Sequence, residues 1–213
     1  MKNITVHIII DGLGWEVAKE CHNFNFLNAV QKPLETVLGF SSSAIPTILT
    51  GKLPQHHGRG NLFYESENST FPLFKIMKYA PAILKRRNIP SRILKRALLL
   101  ANKKKTGFKG YYQAYDFPIE RLSDIAICED TNIFTPGGIP GSKTIIDHYA
   151  ETSEHWKVYS YKEHSDAVII DQMVDECVSN SIEHLFVYLC EFDAFGHAHA
   201  GDRSMMIAKA EKY

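Results

Sequence analysis

The run Ile4-Thr5-Val6-His7-Ile8-Ile9-Ile10 is β-branched and nearly all apolar, and Asp11-Gly12-Leu13-Gly14 cuts it off at once. A short apolar run of this kind predicts a central β-strand covered on both faces, as in a parallel sheet. Trp15 to Cys21 then reads as a helix. A second strong strand runs from His184 to Cys190 and ends at Glu191-Phe192-Asp193. Between the two, strand and helix patterns alternate. Val37-Leu38 reads as a short strand and Gly39 to Ser43 as a small-residue loop. Ala44 to Leu49 reads as a helix stopped by Thr50-Gly51, with Pro54 confirming the stop. Further on come a strand over Ile125 to Cys128, a turn over Thr135 to Gly141 and a helix over Lys143 to Glu151. A strand around Trp156 to Tyr159 and a helix over Asp166 to Ser179 complete the series. The alternation predicts an α/β fold, a mostly parallel sheet flanked by helices. At 213 residues and 45% hydrophobic, the chain is long and apolar enough to form one globular domain with its own core.

Charge is balanced, with 24 basic and 24 acidic residues, which argues against a chain built to coat nucleic acid. The balance is uneven along the chain. Twelve of the basic residues, and no acidic one, lie between Lys75 and Lys109. The pattern from Phe71 to Lys109 is helical but broken by Pro72, Pro81 and Pro90, which predicts several short helices. Residues 70–110 therefore read as a basic, helical, cap-like insertion. A segment of this kind suits a phosphate-bearing substrate or an anionic surface, the alternative being a solvated helical face. Tyr111, Tyr112 and Tyr115 follow it, placed either to stack on a base or sugar or to pack in a lid. Cys21, Cys128, Cys177 and Cys190 are widely spaced and form no C-x-x-C pair, so buried reduced thiols are expected. Asp11 interrupts the first apolar run before it reaches signal-peptide length, and no stretch approaches the roughly 18 apolar residues of a membrane span. The expected location is the cytoplasm.

In open α/β sheets, functional groups collect just past the carboxyl ends of the strands. Asp11 follows the first strand, Ser41-Ser42-Ser43 opens the second helix, and Asp193-Ala194-Phe195-Gly196-His197-Ala198-His199 follows the last strand. Each has an ordinary explanation: a helix cap, a capping cluster, solvated loop residues. Their coincidence points to chemistry. Asp193 and His197, four apart with Gly196 between them to let the backbone turn, can address one ion, and a carboxylate with an imidazole suits zinc and related divalent ions. Asp11 could hold a second ion. A serine hydroxyl at a helix start gains from the exposed amides there and, beside a metal, can attack phosphorus.

These residues resemble the type I phosphodiesterase and nucleotide pyrophosphatase branch of the alkaline phosphatase superfamily. The likeness rests on Ile10-Asp11-Gly12, on Thr47-Ile48-Leu49-Thr50-Gly51-Lys52-Leu53-Pro54-Gln55-His56-His57-Gly58, and on Asp193-Ala194-Phe195-Gly196-His197. That family has a nucleophilic Thr or Ser nine residues before the Thr of a Thr-Gly pair, followed by Pro-x-x-His-Gly, and counting back from Thr50 gives Ser41. The resemblance implies an alkaline phosphatase-like α/β fold and a phosphodiesterase acting on a small phosphate ester. It implies two divalent metals, zinc or manganese, with Asp11 and Ser41 on one, Asp193 and His197 on the other, and Ser41 as nucleophile. Ser42 is the fallback nucleophile.

The chain also departs from the pattern. Ala44 stands where members with nucleotide pyrophosphatase activity usually carry a phosphate-binding Asn. The family's later Asp-His pair and final His have no counterpart after Asp193-x-x-x-His197, so the chain resembles the family's amino-terminal part. Asp147-His148 is the one Asp-His pair, but it precedes the last strand and falls within a predicted helix. Sulfatase chemistry is disfavoured, because Ser43 and Ile45 occupy the positions that would require Pro and Arg. Two alternatives stand beside a phosphoesterase: a catalytically inactive fragment or binding module that keeps the fold, and a phosphotransferase of the same superfamily.

Overall fold

The computed structural model describes residues 3–27, 30–85, 89–106, 117–153, 155–161 and 164–213. The chain divides into two compact units. The first comprises Met1–Thr36, Phe134–Gly137 and Lys143–Tyr213, and the second Val37–Ile133 and Gly138–Ser142.

The first unit is an α/β structure built on a parallel sheet of three strands: β1 (Thr5–Ile10), β4 (Trp156–Tyr159) and β5 (His184–Leu189), in the order β1-β5-β4. The middle place belongs to β5, whose Leu185 to Leu189 are all at most 4% exposed. Side chains alternate across the sheet. Leu185, Val187 and Leu189 pack with Ile169, Ile170 and Met173 of α7 (Asp166–Ser179) on one face. On the other face Tyr149 of α6 (Ile145–Thr152) stacks on His184 and bonds to His7, while Phe134 packs on Phe186 and Tyr188. The first strand is thus not central, as its apolar run predicted. It lies at the sheet edge with Ile8 49% exposed, because β5 alone has a neighbour on each side. Past the sheet, α8 (Glu191–His199) and α9 (Arg203–Ala210) close a cluster in which Cys21 and Phe192 are fully buried against Leu13 and Val17, the latter in α1 (Trp15–Ala18).

The second unit carries α2 (Ser41–Thr50), α3 (Pro54–His57), β2 (Phe63–Glu65), α4 (Ala82–Lys85), α5 (Ile89–Thr106) and β3 (Ile125–Ile127). One strand expectation fails here, and a second strand forms with another partner. Val37-Leu38 is not a strand: Leu38 is 94% exposed, and among the described residues neither residue joins a sheet. Ile125–Ile127 is a strand, but it pairs antiparallel with Phe63–Glu65 and takes no part in the parallel sheet. The unit's core holds Phe71, Phe74, Leu99, Leu122 and Ile127. Buried hydrogen bonds lock the basic segment to this core, since an unpaired polar group there would be costly. Asn102 Nδ2 donates to the Thr70 carbonyl (2.7 Å), and Thr70 Oγ1 accepts from the Ile127 amide and donates to Asp130. The segment is helical and broken, with a 3₁₀ stretch at Pro72–Tyr79 followed by α4 and α5. At 18 residues α5 is longer than the short helices the prolines predict, because Pro90 falls in its first turn, where a proline is tolerated. Arg86, Arg87, Lys109 and Tyr111, Tyr112 and Tyr115 lie outside the described residues. All four cysteines are free thiols, and among the described residues no helix is long and apolar enough to cross a membrane.

Candidate functional site

Adjacent parallel strands end on the same side of a sheet, and the β1–β5 register sets Ile10 opposite Leu189. Asp11 leaves β1 with its amide donating to the Leu189 carbonyl (2.8 Å). Gly12 then turns with φ +75°, so close to α8 that a Cβ at this position would lie 2.9 Å from Asp193 Cα. Only glycine gives both the left-handed backbone and the close approach. Asp11 and Asp193 are thereby neighbours, 182 positions apart in the chain (193 minus 11). Tyr188 Oη donates to Asp11 Oδ2 at 2.5 Å, and burial together with the Asp11 charge pushes this phenol well above the usual tyrosine range. Tyr188 therefore stays a proton donor that orients the carboxylate.

Asp193 and His197 do come together, with Oδ2 and Nε2 3.3 Å apart, but not by a sharp loop turn at glycine. The segment is helical, and residues four apart share a face one turn apart. Gly196 instead admits the neighbouring helix: its Cβ would meet Met206 Cε at 3.2 Å. The His197 imidazole is 81% exposed. His199 stacks on Phe195 (centroids 4.1 Å apart) and bonds through Nδ1 to the Phe195 carbonyl, on another face of α8. Burial and the carboxylates around it, Asp166 first among them, push the Cys190 thiol up to about 11.

The residue that positions α8 is Asp166, which the sequence marks only as the start of a helix. Its buried carboxylate accepts from the amides of Cys190 (3.0 Å) and Glu191 (2.9 Å) and from Tyr213 Oη (2.6 Å). Glu191 Oε1 in turn accepts from the Asp166 amide, so two helix starts hold each other. Asp147 is committed to structure. Its carboxylate accepts from Thr144 N, Thr144 Oγ1 and Gly137 N in a capping box at the start of α6. Burial opposes ionisation there, and these backbone donors outweigh it and hold the carboxyl below its ordinary value. His148 points to solvent.

Ser41 lies in the second unit, whereas Asp11, Asp193 and His197 lie in the first. The helix α2 begins at Ser41, three residues earlier than Ala44, because Phe40 is extended and its carbonyl already accepts from Ser43 N and Ala44 N. Ser41 is thus the first helical residue, uncapped by any side chain from Phe40. Among the described residues the buried hydroxyls of Ser42 and Ser43 have no hydrogen-bond partner, and Ser43 is fully enclosed. Ala44 offers no polar atom in the same turn.

The Thr-Gly and His-Gly motifs are end pieces of helices. Gly51 (φ +65°) ends α2 and Gly58 (φ +75°) ends α3, each with its amide returning to a helix carbonyl. His57 is buried, with Nδ1 accepting from Arg59 N (3.1 Å) and Nε2 3.0 Å from Thr47 Oγ1. An imidazole accepting at Nδ1 carries its proton on Nε2, so it donates to Thr47, and Thr47 donates to the Ser43 carbonyl (3.0 Å). Burial lowers the His57 pKa and favours this neutral form. Its place is that of a clamp on α2.

Among the described residues no three His, Cys, Asp or Glu side chains are gathered closely enough to hold a metal ion. Comparisons with family models, with curated proteins and with solved structures returned no match to this chain.

Proposed function

We propose that this chain belongs to a metal-dependent phosphoesterase of the phosphodiesterase or nucleotide pyrophosphatase type, with an alkaline phosphatase-like fold, Ser41 as nucleophile and a small phosphate ester as substrate. The observation that supports this most is that Gly12, next to Asp11, comes up against Asp193 at the carboxyl ends of two adjacent parallel strands, with His197 3.3 Å from Asp193. In this reading Asp11 with Ser41 would hold one divalent ion and Asp193 with His197 a second, oxygen and imidazole donors of the kind that suit zinc or manganese. Such an ion supplies charge stabilisation at phosphorus and lowers the pKa of a bound hydroxyl. Within this reading Tyr188 orients Asp11, Asp166 fixes the helix that carries Asp193 and His197, and Ser41 attacks phosphorus from the amino end of α2. Four free cysteines suit a reducing compartment such as the cytoplasm.

A second reading has its own support. Asp193 and His197 are two donors, fewer than the three or four protein ligands of a zinc site. This favours a chain that keeps the fold and binds without turning over. One experiment separates the two: hydrolysis of a chromogenic phosphodiester with added zinc or manganese. The phosphoesterase reading expects metal-dependent turnover that Ser41→Ala lowers by about 10³-fold or more, the scale of losing a nucleophile. Replacing the enclosed Ser43 by Ala should change the rate by only a small factor. Unchanged turnover in Ser41→Ala sinks the assignment of the nucleophile, and no turnover with either metal selects the binding reading.

A further inference from the structure

Helix α5 carries apolar side chains on both of its faces. Inward, Leu94, Leu98 and Leu99 pack on the unit's core, and Ser91, Lys95 and Asn102 are buried beside them. Its outward face presents Ile93 (65% exposed), Ala97 and Leu100 (59%), at the i, i+4, i+7 spacing of a single stripe. Along one side of that stripe run Arg92, Arg96 and Lys103, all exposed, and Lys104 extends it towards the carboxyl end. Rolling the outward stripe inward would expose the packed leucines and break two buried bonds, in which Lys95 Nζ donates to the Phe117 carbonyl (2.5 Å) and Asn102 Nδ2 donates to the Thr70 carbonyl. Leaving either group unpaired in the interior costs about as much as covering one aliphatic side chain gains, and the exposed leucines add to that cost. The outward orientation is therefore fixed by the fold.

The geometry points to the surface of an anionic lipid bilayer as the occupant of this face. Such an interface takes both parts of the pattern, aliphatic side chains among the upper acyl groups and Lys and Arg among the headgroup phosphates. At 18 residues α5 is about 27 Å long, enough to lie in the interface as a rod. No acidic residue occurs between Lys75 and Lys109 to repel the surface. Among the described residues none of Arg92, Arg96, Lys103, Lys104 and Lys105 has an ion-pair partner, so their charge is directed outward. The short helices before α5 repeat the composition, with Ile76, Tyr79 and Ile83 exposed beside Lys75 and Lys85. A nucleic acid would meet the basic flank but would gain nothing from Ile93 and Leu100.

The test is sedimentation of the full chain with vesicles of phosphatidylcholine alone or of phosphatidylcholine with phosphatidylserine. Binding is expected to the second only, and to weaken with salt. Replacing Lys103, Lys104 and Lys105 by Gln should weaken it about 100-fold, at roughly fivefold for each charge near the surface. The double variant Ile93→Ser/Leu100→Ser should weaken it about tenfold or more at unchanged charge. All five positions are exposed, so the helical circular dichroism should stay as in the wild type. Three results overturn the inference: no binding to anionic vesicles; binding that the Ile93→Ser/Leu100→Ser variant leaves intact, with a duplex RNA bound more tightly than the vesicles; or self-association of the lipid-free chain that this variant abolishes.

Discussion

Replacing Gly12 by Ala tests the architecture on which Asp11 and Asp193 depend. The new Cβ would sit 2.9 Å from Asp193 Cα and 3.1 Å from Asp193 Cβ and Oδ1, where carbon atoms prefer about 3.5–4.0 Å. Backbone at φ +75° costs an L-residue about 1–2 kcal/mol, and forcing β1 and α8 apart by most of an ångström costs about 1–3 kcal/mol. Their sum is about 3 kcal/mol, which for a chain of this size lowers Tm by about 6–12 °C. Thermal melts followed by circular dichroism read this directly. Gly201→Ala is the control, since Gly201 has no atom within 4 Å of a built Cβ and no positive φ, and it should stay within about 0.5 kcal/mol of wild type. The nearest obstacle is backbone. Trimming the neighbour in a Gly12→Ala/Asp193→Ala double variant should therefore not restore stability. A Gly12→Ala protein melting within about 2 °C of wild type would refute the close approach of Gly12 to α8.

Two further outcomes follow from buried polar groups. Asp166→Ala leaves the Cys190 and Glu191 amides and Tyr213 Oη without their acceptor. It should destabilise by about 3 kcal/mol or more in urea titrations, against about 2 kcal/mol for Tyr213→Phe; equal losses would show that the two amides do not depend on this carboxylate. His57 has its pKa lowered by burial from an ordinary 6.5. Below that pH the unfolded chain takes up a proton that the folded clamp refuses, so this contribution to stability is complete above pH 6.5 and declines as the pH falls. The urea midpoint should drop more steeply with acid in wild type than in His57→Gln, and parallel slopes would remove His57 from the account.

Much of the first unit was legible in the sequence. The strand Trp156–Tyr159 and the helix Asp166–Ser179 lie where their patterns place them, and the last strand runs almost as read, because periodicity and propensity act over a few residues and no distant partner opposed them. Asp11 and Asp193 could be expected at one place because both follow strands, and parallel strands share their carboxyl edge. Strand partners could not be read, because pairing is non-local. Ile4–Ile10 is apolar enough for the sheet's middle yet lies at its edge, and Ile125–Ile127 joined Phe63–Glu65, a three-residue strand that the sequence pattern had not suggested. Local pattern also missed the helical state of Asp193 to His199, where Asp166 from 27 positions upstream (193 minus 166) caps the first turn and overrides the glycine at its centre. The sequence by itself determined which residue types stand at which strand ends. Tertiary structure alone decided which strand is enclosed, which carboxylate is committed to capping, and that α5 faces outward with its aliphatic stripe, since each of these depends on hydrogen bonds between groups distant in the chain.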